Sequence, residues 1–129
     1  MSHDQTRQAA LAYFDTLGTG EADAFVALFS PDAYFEDPVA GPGPALDGHD
    51  GLRKFHRGLR RVWQSLRMDV GDVFVRGSRA AVRWRAEGVS ASGKAIAFEG
   101  INVIAVDDQG RISRLEGFWD VERVMGQMA

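Results

Sequence analysis

The sequence contains no cysteine among its 129 residues. Disulfides, thiolate nucleophiles and cysteine-based zinc sites are therefore excluded, and the absence fits a reducing compartment. The chain also lacks the run of roughly 18 or more apolar residues that a membrane span needs. Residues 1–10 are polar and have no apolar centre of the kind found in signal peptides. We therefore expect a cytoplasmic protein with no membrane partner.

Positive charge and recognisable cofactor motifs are scarce as well. The 15 Lys and Arg residues are outnumbered by 18 Asp and Glu, for a formal net charge of −3, so the chain has no general attraction for phosphate backbones and nucleic acid is not expected as a partner. Its three histidines, His3, His49 and His56, do not have the spacing of a metal motif. No phosphate-binding loop, dinucleotide fingerprint or serine-hydrolase elbow is found. We expect neither a metal nor a cofactor.

Hydrophobic residues make up 45% of the chain, enough for one domain with a core over residues 1–129. Apolar residues recur at helical spacing in three segments. These are residues 10–17, which end at Gly18, residues 21–29, and residues 50–66. Residues 121–128 can form a short fourth helix. The segment Pro38–Gly48 holds three prolines and three glycines, a composition typical of a loop.

Alternation of apolar and polar residues predicts strands in much of the remaining chain. We expect a short strand at Ala33–Asp37, followed after the third helix by a meander at residues 70–76, 80–89, 95–106 and 111–120. Helices followed by an antiparallel meander are typical of an α+β domain. We therefore predict a curved antiparallel sheet that wraps around three helices and forms a cone with an apolar pocket.

Asp37 is the first candidate for chemistry. It shares parity with Ala33 and Phe35 on the predicted strand, so its side chain should follow Phe35 inward. A carboxylate on an apolar face is costly unless it has partners or a purpose. The residues alone leave two interpretations open: a base in a pocket, or an aspartate at a strand end that caps the turn.

Other polar residues fall on predicted apolar faces. Tyr13 lies on the inner face of the first helix and is either a core tyrosine or a hydrogen-bond donor aimed into the pocket. Asn102 shares parity with Phe98, and an amide in an apolar row needs hydrogen bonds, from backbone or from a ligand. Trp119 is either pocket wall or core. His56 faces partly inward, where a core histidine is commoner than a ligand or a catalyst.

Five segments of the sequence together resemble bacterial ketosteroid isomerase, of the nuclear transport factor 2-like superfamily. The segments are Ala33-Tyr34-Phe35-Glu36-Asp37-Pro38-Val39, Gly51-Leu52-Arg53-Lys54-Phe55, Ile101-Asn102-Val103, Asp108-Gln109-Gly110-Arg111-Ile112 and Gly117-Phe118-Trp119. The likeness covers nearly the whole chain and is most specific in the Glu-Asp-Pro segment. It implies a helix-lined cone and a homodimer formed through the open face of the sheet.

The resemblance implies that Asp37 is a general base, that Tyr13 is an oxyanion-hole donor and that Trp119 lines the pocket. The second oxyanion donor of the family is an aspartic acid, and Asn102 stands at its position. A carboxylic acid must be kept neutral to donate, whereas an amide donates at any pH. Two tyrosines that support the family's catalytic tyrosine are replaced by Phe29 and His56.

We therefore expect a cofactor-independent, isomerase-type enzyme that abstracts a proton α to a carbonyl of an apolar, steroid-like substrate. Asp37 would move the proton while Tyr13 and Asn102 bind the oxygen of the enolate. The residues expected to contact the substrate are Phe35, Phe98, Trp119 and His56.

Three alternatives use the same pocket. A polyketide cyclase would use the base for an aldol ring closure. A related hydrolase or lyase, such as an epoxide hydrolase, would hold a water between carboxylates, usually with an arginine. Arg83 and Arg85 alternate with Val82 and Trp84, which places the arginines on the other face of the sheet. A binding or dimerisation domain would use the cavity without chemistry.

Overall fold

The computed structural model describes residues 2–19, 21–38 and 48–129. In these ranges the helices are α1 (His3–Thr19), α2 (Ala22–Ala27), α3 (Gly48–Val62) and α4 (Val121–Met128). The strands are β1 (Phe29–Glu36), β2 (Trp63–Arg76), β3 (Arg79–Ser90), β4 (Ala95–Val106) and β5 (Ile112–Trp119). None of the helices in the described ranges has the length and apolar character needed to cross a membrane. Apart from its two ends, the predicted loop at Pro38–Gly48 lies outside the described residues.

The predicted α+β class is confirmed: a curved, unclosed sheet packs against the helices. Its strand order is β1-β5-β4-β3-β2, and β2 to β5 form the expected antiparallel meander. The difference is β1, which pairs with β5 in parallel. The chain enters β1 from α2 and leaves it for α3, so no hairpin fixes an antiparallel direction. The sheet is therefore mixed at this one edge.

Strand β1 begins earlier than the sequence predicts. The predicted strand begins at Ala33, but β1 starts at Phe29 and includes Pro31. Because β1 is an edge strand, it can accommodate Pro31, which has no N–H to donate. The pairing with β5 also shifts register between Phe29 and Tyr34, so the proline falls in the irregular part. Helix α2 consequently ends at Ala27.

Helix α3 ends at Val62, before its predicted end at residue 66. Helix α1 ends at Thr19, one residue beyond its predicted end at Gly18. Trp63 and Leu66 continue the helical spacing of α3, yet β2 begins at Trp63 and pairs with β3. Its register shifts between Trp63 and Ser65 and again between Val70 and Val73. Because these shifts interrupt the alternation of apolar and polar residues, a period of two does not predict the first half of the strand.

The core lies between the helices and the inner face of the sheet. Helix α1 packs against β2, β3 and β4, and α3 packs against β1 and β2. The predicted inner face of α1 is confirmed, since Ala10, Tyr13 and Phe14 are buried. The hydroxyl of buried Thr6 donates to the carbonyl of Gly77 in the β2–β3 turn at 2.9 Å. This bond fixes the start of α1 over the sheet.

The turn between β4 and β5 sets the register that matters for the cavity. Gly110 has a φ of +81°, in the left-handed region that favours glycine. The carboxylate of Asp107 accepts hydrogen bonds from the backbone N–H groups of Gln109 and Arg111, both at 2.9 Å, as in an Asx turn. The strands that leave this turn pair so that Asn102 lies opposite residue 117.

His56 of α3 is buried in the core, with its ring centroid 5.5 Å from that of Phe25. Burial lowers the pKa of His56 below its usual value of 6.5, and the positive charge of Arg60 lowers it further, while Glu21 acts in the opposite direction. The imidazole is therefore neutral in the folded chain at pH 7.

We predict that His56 makes the fold acid-sensitive. The unfolded chain binds a proton on this imidazole near pH 6.5, whereas the folded chain binds it only at lower pH, so the free energy of unfolding falls as the pH drops below about 6.5. His56→Gln should flatten the slope of stability between about pH 7 and pH 5 in urea unfolding, and His3→Gln, at an exposed site, should not. An unchanged slope in His56→Gln would contradict this assignment.

Candidate functional site

A cavity of about 660 Å³ lies between the helices and the inner face of the sheet, within the range of roughly 300–1,000 Å³ that is usual for small-molecule sites. All three tryptophans of the chain, Trp63, Trp84 and Trp119, line it together with Phe98. The Phe98 ring stacks on Trp63 at 5.8 Å with 12° between the planes, and lies edge-on to Trp84 at 5.5 Å. This aromatic wall suits a flat ring system.

Three polar side chains predicted from the sequence line this same cavity: Tyr13, Asp37 and Asn102. They come from α1, from the position after β1, and from β4. Their exposed fractions are 2%, 7% and 3%, respectively. Buried polar groups are costly to leave without partners, so a cavity that collects three of them has the composition of a binding or catalytic site.

The Asp37 carboxylate is oriented by a residue of β5, the strand that pairs with β1. The indole Nε1 of Trp119 donates to Asp37 Oδ2 at 3.3 Å. As the alternation predicts, Ala33, Phe35 and Asp37 all lie on the buried side. The structure therefore places an oriented carboxylate inside the apolar cavity.

Gly117 brings Asp37 and Asn102 together. A Cβ atom at Gly117 would lie 3.0 Å from Asp37 Oδ2 and 3.2 Å from Asn102 Oδ1. Both oxygens thus lie against one backbone position, and any side chain there would crowd them. Sequence reasoning did not identify Gly117 as a site residue. Its parity with Trp119 indicates the inner face, but its approach to Asp37 depends on the parallel β1–β5 pairing.

Tyr13 is enclosed by aromatic rings. The centroids of Phe14, Phe25 and Phe29 lie 5.1, 5.7 and 6.2 Å from its own. Burial raises the pKa of the Tyr13 hydroxyl well above its usual 10.0, and the negative charge of Asp37 raises it further. The phenol therefore stays protonated, as a donor, at neutral pH. Phe29 packs edge-on against it where the resemblance implies a supporting tyrosine.

The side-chain amide of Asn102 has a fixed orientation. Its Oδ1 accepts a hydrogen bond from the indole Nε1 of Trp84 at 3.0 Å, and both residues are buried. An indole N–H can only donate, so the amide oxygen must face Trp84. The amino group then points away from that indole.

Two residues predicted to contact a substrate lie elsewhere. Phe35 is fully buried, and its ring centroid lies 4.7 Å from that of Phe55. Phe55 lines the cavity, whereas Phe35 does not. His56 lies in the core beside α2 and does not line the cavity. The alternation within a strand shows that a side chain points inward. It does not show whether residues of α3 separate that side chain from the cavity. Phe98 and Trp119 do line the cavity.

The two arginines considered for the hydrolase alternative lie outside the cavity. Arg83 and Arg85 are exposed on the outer face of the sheet, as their alternation predicts, so neither can supply the arginine of the hydrolase alternative. Across residues 2–19, 21–38 and 48–129, no group of three or more His, Asp or Glu side chains could hold a metal ion.

Comparisons with known proteins agree with this fold. The SnoaL-like domain family matches residues 10–115. A steroid Δ-isomerase of Nocardioides simplex is 27% identical over 115 residues, which cover 89% of each chain. Among solved structures, TerC co-crystallised with polyporic acid has a TM-score of 0.84 at 20% identity and covers 96% of this chain and 98% of its own. A candidate polyketide cyclase of Xanthomonas campestris pv. campestris has a TM-score of 0.80 at 18% identity over 98% of each chain. The two structural matches show the fold alone.

We predict that Gly117→Ala disturbs both site oxygens at once. The added methyl group would press on Asp37 Oδ2 and Asn102 Oδ1, so the indole N–H resonances of Trp119 and Trp84 should both shift in proton–nitrogen correlation spectra. Gly126→Ala is the matched control, because a Cβ there meets nothing within 4 Å. If Gly117→Ala leaves both indole resonances in place, the carboxylate and the amide do not lie against this glycine.

Proposed function

Since the chain belongs to the SnoaL-like domain family, we propose that it is an enzyme that moves a proton next to a carbonyl group of an apolar, ring-containing substrate. The observation that carries the proposal is a buried carboxylate, Asp37, in one cavity with two neutral donors, Tyr13 and Asn102. Enolate chemistry needs one base and donors for the developing oxyanion. The name of the steroid Δ-isomerase relative supports the same reaction class.

In the proposed reaction the Asp37 carboxylate takes a proton from the carbon next to the carbonyl. The electron pair of the broken C–H bond forms a carbon–carbon double bond, and the carbonyl oxygen becomes an enolate oxygen. Asp37, now a neutral carboxylic acid, returns the proton to another carbon of the conjugated system. A double bond has then moved, with no atom gained or lost. The Trp119 indole orients the carboxylate for both transfers.

The enolate oxygen is stabilised by the hydroxyl of Tyr13 and the amino group of Asn102. Tyr13 keeps its proton because burial and the charge of Asp37 raise its pKa, and an amide does not titrate in this range. Removal of one such donor in a hydrolase slows the reaction by the equivalent of roughly 2.7–4 kcal/mol. Two donors in an apolar cavity are therefore enough to favour the enolate substantially.

The shape of the cavity supports a flat, largely apolar substrate. Trp63, Phe98 and Trp119 form adjacent aromatic surfaces, with Phe98 5.3 Å from Trp119 and 5.8 Å from Trp63. The cavity volume of about 660 Å³ accommodates a fused ring system. A steroid-like ketone fits these features.

A second candidate reaction is an aldol ring closure. The same three groups would form the enolate, but its carbon would attack a second carbonyl of the substrate, and Asp37 would return the proton to the new alkoxide. The name of one structural neighbour, a candidate polyketide cyclase, is the reason to test this reaction as well. It differs from isomerisation in the substrate, which must carry two carbonyl groups within reach of each other.

We predict that Asp37→Asn lowers kcat for a 3-oxo-Δ5-steroid by on the order of 10²-fold or more, because an amide cannot accept the proton. The control is Asp32→Asn, at an exposed carboxylate on β1. The absorbance of the conjugated product measures turnover, and deuterium uptake from heavy water measures proton abstraction. Wild-type turnover in Asp37→Asn would exclude Asp37 as the base.

The same measurements separate the alternatives. Deuterium exchange that depends on Asp37 supports an enolate, for either an isomerase or a cyclase. Absence of exchange in any ketone that binds supports a binding domain. Incorporation of oxygen-18 from labelled water supports hydrolysis instead.

We also propose that the chain forms a homodimer through an outer patch, defined by Phe74, Ile101 and Phe118. Their exposed fractions are 70%, 46% and 54%, and Ile101 pairs directly with Phe118 across β4 and β5. Large apolar side chains exposed on one face of a protein commonly mark an interface. Arg83 pairs with Ile101, and Glu116, which is ion-paired with Arg114 at 3.0 Å, lies on the same face, so charged residues flank the patch as in the polar rim of an interface.

We predict that Phe118→Glu converts the dimer to a monomer, because two carboxylates would be buried close to the two-fold axis. Gln109→Glu adds the same charge in the exposed β4–β5 turn and should leave the dimer intact. Sedimentation equilibrium gives the mass of each protein. A wild-type monomer, or a Phe118→Glu protein that still dimerises, would contradict the proposal.

A further inference from the structure

Trp84 has no part in the proposed proton transfer, yet it contacts one of the groups that the reaction uses. Its indole Nε1 lies 3.0 Å from Asn102 Oδ1, with both side chains buried and lining the cavity. The single polar atom of the Trp84 side chain is thus directed at the Asn102 amide. Buried indole N–H groups are usually given a partner, and here the partner belongs to the site.

The hydrogen bond determines what Asn102 offers to a ligand. A side-chain amide has an accepting end and a donating end, and rotation by half a turn exchanges them. Since the indole accepts nothing, rotation would set an amide N–H₂ group against the indole N–H and lose the bond. Among the described residues, Trp84 is the one that hydrogen-bonds the Asn102 side chain. The amino group is thus left for the cavity.

The backbone of β4 makes room for this arrangement. Gly100 lies directly opposite Trp84 in the β3–β4 pair. A Cβ atom at Gly100 would lie 2.5 Å from Trp84 Cζ2, so a side chain there would push the indole away. Without one, the ring lies over β4 and reaches Asn102, two residues further along on the same face.

We propose that Trp84 is a positioning residue that holds Asn102 as a donor, and so restricts the cavity to ligands that present an acceptor oxygen, above all an anionic one. The inference rests on the proposed role of Asn102 in binding the enolate oxygen. It adds a specificity: a ligand that presents a hydroxyl donor to Asn102 meets no acceptor there. It also makes this donor independent of pH, since neither group of the pair titrates near neutrality.

The test measures binding without turnover. 4-Nitrophenolate is the probe, since its oxygen carries charge like that of an enolate, and nitrobenzene is the neutral control of similar shape. All proteins carry Asp37→Asn, so that the anion does not meet a carboxylate and the base is absent. Dissociation constants are measured for this background and for Trp84→Phe, Asn102→Ala and the double variant.

Asn102→Ala should weaken 4-nitrophenolate binding by roughly 10-fold or more, the effect expected for a hydrogen bond to a charged group. Trp84→Phe should weaken it by roughly 3- to 10-fold, since the amide can then rotate. In the double variant the loss should equal that of Asn102→Ala alone, because Trp84 acts through Asn102. Nitrobenzene binding should change by less than about 2-fold throughout, within the usual error of additivity.

Additive losses, equal losses for nitrobenzene, or a background protein that does not bind 4-nitrophenolate would each overturn the proposal. If Trp84→Phe does not fold, Asn102→Leu provides a second measurement. Loss of the acceptor should shift the Trp84 indole N–H resonance and weaken phenolate binding together, and a resonance that stays in place would contradict the bond. Because no variant here turns over substrate, failure of the proton transfer reaction would appear only in the Asp37→Asn kinetics.

Discussion

The burial of one carboxylate is the constraint on which the site depends. Asp37 is only 7% exposed and lies in an apolar cavity, where an ionised group without partners would be strongly destabilised. The indole N–H of Trp119 meets its Oδ2, and Gly117 leaves the space that the carboxylate occupies. Both residues lie on β5, which is the strand that pairs with β1. The parallel β1–β5 pairing is therefore what allows a carboxylate after β1 to be accommodated in this cavity.

The pairing of the strands also brings each of two indole N–H donors to a side-chain oxygen on or just after another strand of the sheet. Gly100 lies between Trp84 on β3 and Trp119 on β5, opposite both. Each indole reaches past this glycine to a different oxygen, that of Asn102 or that of Asp37. The Asn102 amide and the Asp37 carboxylate are thus oriented by rigid aromatic rings rather than by flexible side chains. Such preorganisation reduces the entropy that a site loses when it binds a ligand.

The sequence predicts local features of this fold well and long-range ones less well. Alternation within a strand correctly places Asp37 and Asn102 on the inner face, because side-chain direction is a local property with a period of two. The start of β1 and the end of α3 depend instead on which strand lies at the edge and where a register shifts, and those are set by partners distant in sequence. Periodicity therefore does not reveal that Pro31 lies within a strand.

The same distinction explains which site residues the sequence could indicate. Phe35 has the correct parity but packs under Phe55, so inward direction alone does not separate core from cavity. Gly117 and Trp84 carry no local signal of function, since a glycine and an apolar aromatic on an inner face are common in any sheet. Their roles follow from cross-strand register, which places Gly117 opposite Asn102 and Gly100 opposite Trp84.

In the proposed reaction, proton transfer and charge stabilisation would be carried out by different side chains. Tyr13 keeps its proton because burial and the nearby negative charge raise its pKa, and Asn102 has no proton to lose near neutrality. In the proposed reaction, the proton is taken up and returned by Asp37. An aspartic acid in place of Asn102 would put two carboxylates against Gly117, and these would share protons as a coupled pair. The amide avoids that coupling, so the donor stays fixed while the charge of the base changes during the proposed reaction.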